Sequence, residues 1–273
     1  MLDFIADKKL CAQCGQCVAD CPMHIIGMAD AGPTVAAENE AMCIRCQHCL
    51  AVCPSGAISV AGFDPKESQP MDGEKPNSAQ MESLVRGRRS IRQFKPKDVD
   101  KALVEKLLNV AVCAPTGKNA RQVRFTVIND RKKLAQFREE LMVELSRLVN
   151  AGKLPPGLEL MTSLVHAWEE KRLDIVFRDA PNLVIASAPK TVVSPVPDCI
   201  IALTTFELFA QTEGVGTLWC GLVKFLLSDL IPDLGKRLGI PEDHVVGYVM
   251  AFGYPAVQYT RMTQHKPADV HWV

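Results

Sequence analysis

Eight cysteines follow one rule written twice: Cys11-x2-Cys14-x2-Cys17-x3-Cys21-Pro22, then Cys43-x2-Cys46-x2-Cys49-x3-Cys53-Pro54. Thiolates spaced by two residues can wrap a single turn of chain around one soft metal centre. The run C-x2-C-x2-C-x3-C-P is the bacterial iron–sulfur spacing, in which the fourth cysteine ligates the neighbouring cluster. That crossing assigns Cys11, Cys14, Cys17 and Cys53 to a first [4Fe–4S] cluster. Cys43, Cys46, Cys49 and Cys21 are assigned to a second. Structural zinc uses two well-separated Cys-x2-Cys pairs and needs no proline after a fourth cysteine. Disulfides fit less well still. No cationic segment followed by an apolar one opens the chain, so nothing places it in an oxidising compartment.

The segment carrying these runs, roughly residues 1–60, closely resembles a bacterial two-[4Fe–4S] ferredoxin. Another constellation starts at Arg88-Arg89-Ser90-Ile91-Arg92-Gln93-Phe94. Arginines clustered around a serine are suited to charge-assisted bonds with a phosphate. By itself, such a short basic run is more often a solvated surface. Three distant segments change the weighting. Ala114-Pro115-Thr116-Gly117-Lys118-Asn119 makes a turn carrying a glycine, a hydroxyl and an amide. The stretch Gly214 to Gly221 reads as a glycine-bounded strand where backbone can approach a flat ligand closely. The third segment, Gly247 to Pro255, runs on toward Arg261.

In this order the four segments resemble the flavin mononucleotide (FMN)-binding nitroreductase family, from about residue 82 onward. The resemblance implies an α+β fold that forms an intertwined homodimer, with one FMN at each of two subunit interfaces. Arg88, Arg89, Ser90 and Arg92 would then hold the ribityl phosphate and pyrimidine edge, with Arg261 closing on the phosphate. Pro115, Thr116, Gly117 and Asn119 would come from the partner subunit to the same flavin. The backbone around Gly221 and Leu222 would face the reactive N5 edge, and Cys220 is a further candidate contact. One stretch departs from the family. Where Asn-x-Gln-Pro-Trp is common, this chain reads Asn119-Ala120-Arg121-Gln122-Val123, which leaves the glutamine's contact unassigned.

These residues need elements to position them. A chain of 273 residues favours two domains. The divisions are an iron–sulfur domain over 1–60, a proline- and glycine-rich linker over 61–80, and a larger domain over 81–273. The linker is read as a surface-running connection or an ordered strap. A unit of about 60 residues commonly needs staples, and two clusters would supply them. Val99, Leu103, Leu107 and Val110 form a helical stripe led by Asp98 and Asp100. Leu134, Phe137, Leu141, Leu145 and Leu148 form another after Asp130, a fitting N-cap. A third helix, apolar nearly all round, is expected from Asp198 to Glu213, closed by Gly214. Strands are expected at Val123–Ile128, Leu183–Ala188, Gly216–Trp219 and Val245–Phe252. The irregular alternation argues α+β. Residues 152–178 read as a mobile lid or as ordinary surface helix.

Net charge is zero, from 31 basic and 31 acidic residues, so non-specific nucleic-acid binding is not indicated. No apolar run reaches the 18 or more residues of a membrane span, and a soluble cytoplasmic protein is expected. Cys113 and Cys199 are expected to be buried small hydrophobes. The six histidines show no metal spacing, and Trp168 and Trp219 are read as packing residues. Together the parts suggest a redox relay. A reduced donor such as ferredoxin would charge the clusters, and FMN would pass electrons to a small organic acceptor, a nitroaromatic or an activated alkene. Direct reduction by NAD(P)H, a non-catalytic carrier or redox sensor, and another reaction such as dehalogenation stay open.

Overall fold

A computed structural model describes residues 2–71, 73 and 75–273. The chain divides into two units: Met1–Lys75 with Lys118–Ala120, and Pro76–Gly117 with Arg121–Val273.

The first unit is built from β1 (Phe4–Ala6), α1 (Gln16–Ala19), β2 (Ile26–Ala29), β3 (Gly32–Val35), α2 (His48–Ala51) and β4 (Ile58–Val60). β1 pairs antiparallel with β4, and β2 with β3. Each cysteine run forms a loop that enters a single helical turn through a left-handed residue, Gly15 (φ 76°) before α1 and Gln47 (φ 63°) before α2. The core joins Ile25, Ile26, Leu50, Ile58 and Val60 to Cys17, Cys21 and Cys49. Thiols therefore occupy core positions that a larger domain would fill with aliphatic side chains.

The expected linker carries local structure of its own. Val60 bridges Phe63, and a short 3-10 turn at Pro65–Glu67 is capped by Asp64, whose Oδ1 accepts from the Lys66 N–H at 2.9 Å. Helix α3 (Ser78–Gly87) begins inside the stretch read as connection. There Asn77 and Gln80 cap one another's backbone N–H, each at 2.9 Å. Linker positions 72 and 74 lie outside the described residues.

After α3 the second unit continues with α4 (Lys101–Ala111), β5 (Arg124–Ile128), α5 (Arg131–Asn150), α6 (Glu159–Lys171) and β6 (Asn182–Pro189). It ends with α7 (Pro195–Thr212), β7 (Gly216–Trp219), α8 (Gly221–Phe225), α9 (Pro232–Arg237) and β8 (His244–Gly253). The sheet runs β5-β6-β8-β7 with every pairing antiparallel. The unit is α+β, as expected. β6 and β8 are the inner strands and are covered on both faces, which explains their near-continuous apolar sequences. Leu183, Ile185, Val249 and Ala251 face a core with Leu141 and Leu145 of α5 and Leu164 of α6. Val184, Ala186, Met250 and Phe252 face another with Leu107 of α4 and Leu203 and Phe206 of α7.

α5 starts at the expected cap, Asp130, and α4 at Asp100, one of the two acidic residues expected at its start, which leaves Val99 of the expected stripe before the helix. α7 starts at Pro195, earlier than expected, because a proline is tolerated in the first turn, where its missing N–H has no partner to lose. Within the 152–178 segment α6 is an amphipathic surface helix, one of the two readings: Leu160, His166 and Glu170 are exposed on one side. α6 buries Met161, Leu164, Val165 and Trp168 and forms part of a packed layer. Among the described residues no helix is long and apolar enough to cross a membrane.

Candidate cofactor sites

Two cavities in the first unit are each lined by four thiols. One has Cys11, Cys14, Cys17 and Cys53, and the other Cys21, Cys43, Cys46 and Cys49. The third and fourth cysteines of each run are four residues apart across one helical turn, displaced by about 6 Å along the axis. α1 and α2 lie against one another, so each turn supplies a thiol to both cavities. Among the described residues no three His, Cys, Asp or Glu side chains converge to hold a single metal ion. Each thiol set surrounds a space instead of a point.

Burial pushes the Cys49 thiol up to about 11, and nearby Cys46, Cys43 and Cys21 add to the effect. Burial raises Cys17 as well, with Cys53 and Cys11 among its neighbours. Burial also acts on Cys53, but it is outweighed by hydrogen bonds to the sulfur, including the Ala57 N–H at 3.2 Å, and this thiol is lowered. Metal ligation requires thiolates. Buried thiols that resist ionising alone are stable as thiolates only beside compensating positive charge. Both sets fit a cationic, soft centre of cluster size.

In the second unit the arginine segment is tied down at three points. Ile91 N–H donates to Thr217 O, Lys95 N–H to Tyr254 O and Ala256 N–H to Gln93 O, each at 2.8 Å. Residues 88–94 therefore run between β7 and the exit of β8. Gly216 permits this close approach, since a Cβ there would lie 2.4 Å from Ile91 Cγ1. At this position of the stretch expected to approach a flat ligand, the close neighbours are Ile91 and Pro255 of the chain itself.

Arg88, Arg89, Gln211, Thr217 and Tyr259 line a cavity beside this segment. Arg88 Nη1 reaches Glu207 Oε1 at 3.2 Å. Arg89 Nη1 donates to the Arg88 carbonyl, whereas its Nε and Nη2 are buried without a partner. Buried guanidinium N–H groups left unsatisfied are costly, and they suit an anionic oxygen arriving from outside the chain. The Ser90 carbonyl accepts from Tyr259 Oη at 3.5 Å. Arg92 is exposed. Arg261 lines an adjoining cavity that shares Gly87, Gln211 and Tyr259 with the first.

The other expected contacts divide. Pro115 is exposed. Thr116 Oγ1 accepts from Arg121 N–H at 3.0 Å, and Gly117 N–H donates to buried Asp198 at 2.9 Å. Lys118 and Asn119 are both left-handed, with φ of 50° and 53°. Asn119 belongs to the first unit, where its amide donates to the carbonyls of Ile44 at 2.9 Å and Arg45 at 3.1 Å. Gly221 and Leu222 open α8. The Cys220 thiol points into the core and donates to Leu218 O at 3.4 Å, so only its backbone is available to a ligand. Trp219 stacks edge-on against Tyr248 at 5.0 Å, and Trp168 is buried beneath the Arg172 guanidinium at 4.1 Å. Both tryptophans pack as expected. Cys199 is buried, but Cys113 is exposed, contrary to the hydrophobic role read for it. Sequence reasoning also missed Asp198 and Glu207, two buried carboxylates of α7. The available signal was an acidic residue within an otherwise apolar helix.

A sequence model of the nitroreductase family matches residues 85–254, and one of the 4Fe-4S dicluster domain matches residues 10–58. A candidate NADH dehydrogenase/NAD(P)H nitroreductase from Methanothermobacter thermautotrophicus is 27% identical over 192 residues, covering 68% of this chain and 83% of that protein. A 4-nitrobenzoate reductase from Nocardioides sp. is 24% identical over 220 residues, covering 70% of this chain and 87% of the relative. The crystal structure of a nitroreductase with bound FMN from Bacteroides fragilis superimposes with a TM-score of 0.60 at 22% identity, covering 72% of this chain and all (100%) of that one.

Proposed function

Because this chain belongs to the nitroreductase family, we propose that it reduces a small organic acceptor, a nitroaromatic or an activated alkene, with electrons drawn from a reduced donor through two [4Fe–4S] clusters and FMN. It is a flavin-dependent oxidoreductase with an amino-terminal 4Fe-4S domain. The observation that carries the flavin reading is Arg89, whose buried, unpartnered Nε and Nη2 belong to a residue lining a cavity.

Arg88, Arg89, Ser90, Arg92 and Arg261 would hold the phosphate and pyrimidine edge. Pro115, Thr116, Gly117 and Asn119 would reach the flavin from the other subunit of a homodimer. The backbone of Cys220, Gly221 and Leu222 would face its reactive edge. Cys11, Cys14, Cys17 and Cys53 would ligate one cluster, and Cys21, Cys43, Cys46 and Cys49 the other. When bound, the clusters would supply single-electron transfer and FMN would couple two single electrons to the transfer of one hydride. The guanidinium groups favour negative charge developing beside them. Ile26, Val35 and Val60 line the cavity of Cys21, Cys43, Cys46 and Cys49 and would limit access of water to those ligands. Reduced thiols in such numbers suit the cytoplasm.

A nitroaromatic acceptor is supported by the name of the Nocardioides relative. The donor would be a ferredoxin or a similar protein. Direct reduction by NAD(P)H is a second reading, favoured by the name of the Methanothermobacter relative. Anaerobic purification tests the proposal. It should yield about eight irons, about eight sulfides and about one FMN per chain, and nitroaromatics or enones should reoxidise the reduced protein. A protein that holds zinc alone, or a bound flavin that ferredoxin, dithionite and NAD(P)H all fail to reduce, overturns it.

A further inference from the structure

Glu207 is buried at 4% exposure in α7, a helix otherwise apolar nearly all round. Burying a carboxylate is unfavourable unless its oxygens are paired or hydrogen-bonded. Here both oxygens are used. Oε1 meets Arg88 Nη1 at 3.2 Å and accepts from Thr217 Oγ1 at 2.9 Å, while Oε2 accepts from Trp219 Nε1 at 3.0 Å. The three donors come from two separate places. Arg88 lies on the arginine segment and lines the cavity beside Arg89, whereas Thr217 and Trp219 belong to β7. Trp219 immediately precedes Cys220-Gly221, the backbone proposed to face the flavin's reactive edge.

From this geometry we infer that Glu207 is a positioning residue that fixes both sides of the flavin site through one buried carboxylate. The inference rests on the FMN reading above. A guanidinium held at one nitrogen by a fixed carboxylate loses little further freedom when its other N–H groups meet a ligand. The same carboxylate anchors the indole, and so the entry of the chain into α8. Its charge also offsets that of Arg88. Removing it leaves the cavity more positive, which favours the reduced, more negative flavin.

The test uses the full-length holoprotein and FMN itself. In Glu207→Gln the FMN Kd should rise about tenfold, because Arg88 loses its ionic partner and one amide oxygen cannot accept from both the Arg88–Thr217 side and Trp219. The flavin midpoint potential should move to a more positive value, a shift that a merely structural role would not produce. In an Arg88→Met background the further Glu207→Gln change should raise Kd by clearly less than in the parent, since the Arg88 share is already lost and only the Trp219 side remains. A Glu207→Gln protein with Kd within twofold of the parent, or with an unmoved potential, overturns the inference, as does simple additivity. If Glu207→Gln alone fails to fold, the double variant, which leaves no unpaired buried charge, is compared with Arg88→Met. A further loss well below tenfold supports the inference, and one of tenfold or more overturns it. A parent protein that takes up no FMN at all refutes the flavin reading itself, a separable result.

Discussion

Cysteine illustrates how differently one residue type behaves along this chain. Cys199 and Cys220 are buried, and burial pushes both thiols up to about 12 from an ordinary 9.0. A folded pKa above the unfolded one means that the native state holds the proton more tightly. The associated stability is complete below about pH 9 and is lost as pH rises toward about 12. At pH 8 neither thiol supplies thiolate, the reactive form. Alkylation of the anaerobic holoprotein at that pH should label exposed Cys113 and leave Cys199 and Cys220 untouched, as read by peptide mass spectrometry. Labelling of Cys220 as fast as Cys113 would contradict its place in the core. The eight patterned cysteines were readable because the pattern is local. The exposure of Cys113 was not, since nothing in its neighbours reveals that the turn after α4 leaves that side uncovered.

Elements begin where short-range chemistry is strong. Asp100 and Asp130 accept from the backbone N–H groups of the first turns of α4 and α5, an interaction confined to three residues and therefore visible in the sequence. The packing of α7 on the sheet is another matter. Gly247 lies in β8 where a Cβ would stand 2.2 Å from Cys199 Cβ and 2.7 Å from its sulfur. In the sequence this glycine merely interrupts an apolar run. In the fold it lets helix and sheet touch. Gly247→Ala should destabilise the second unit by about 3 kcal/mol through overpacking, measured as a lowered urea midpoint at constant slope. A change below about 0.5 kcal/mol would show that the helix can shift away at little cost. α6 depends on its surroundings in a related way. Its apolar positions are interrupted by polar ones, and only the presence of α5 and the sheet beside it decides that Leu164 and Trp168 are inside.

At the scale of the molecule the two units differ in what holds them together. The second has apolar cores on both faces of a four-stranded sheet. The first has one small core in which Cys17, Cys21 and Cys49 take part. Its stability should then depend on what the thiols bind, as in other small metal-stapled folds. Removing iron with a chelator under reducing conditions should unfold the first unit and leave the second folded. Differential scanning calorimetry should show one transition lost and one kept, with the flavin retained in the product. Loss of both transitions together would mean that the second unit cannot stand without the clusters.

The sequence by itself determined the thiol sets, the α+β class and the basic segment, because each rests on spacing or composition within a few tens of residues. Which buried carboxylates brace that segment and the turn at Gly117 was decided only by tertiary structure. Glu207 meets Arg88 across 119 positions, and Asp198 meets Gly117 across 81. A charge inside an apolar helix announces that it needs a partner. Only the folded chain chooses which one, because the choice depends on what the sheet brings within hydrogen-bond reach.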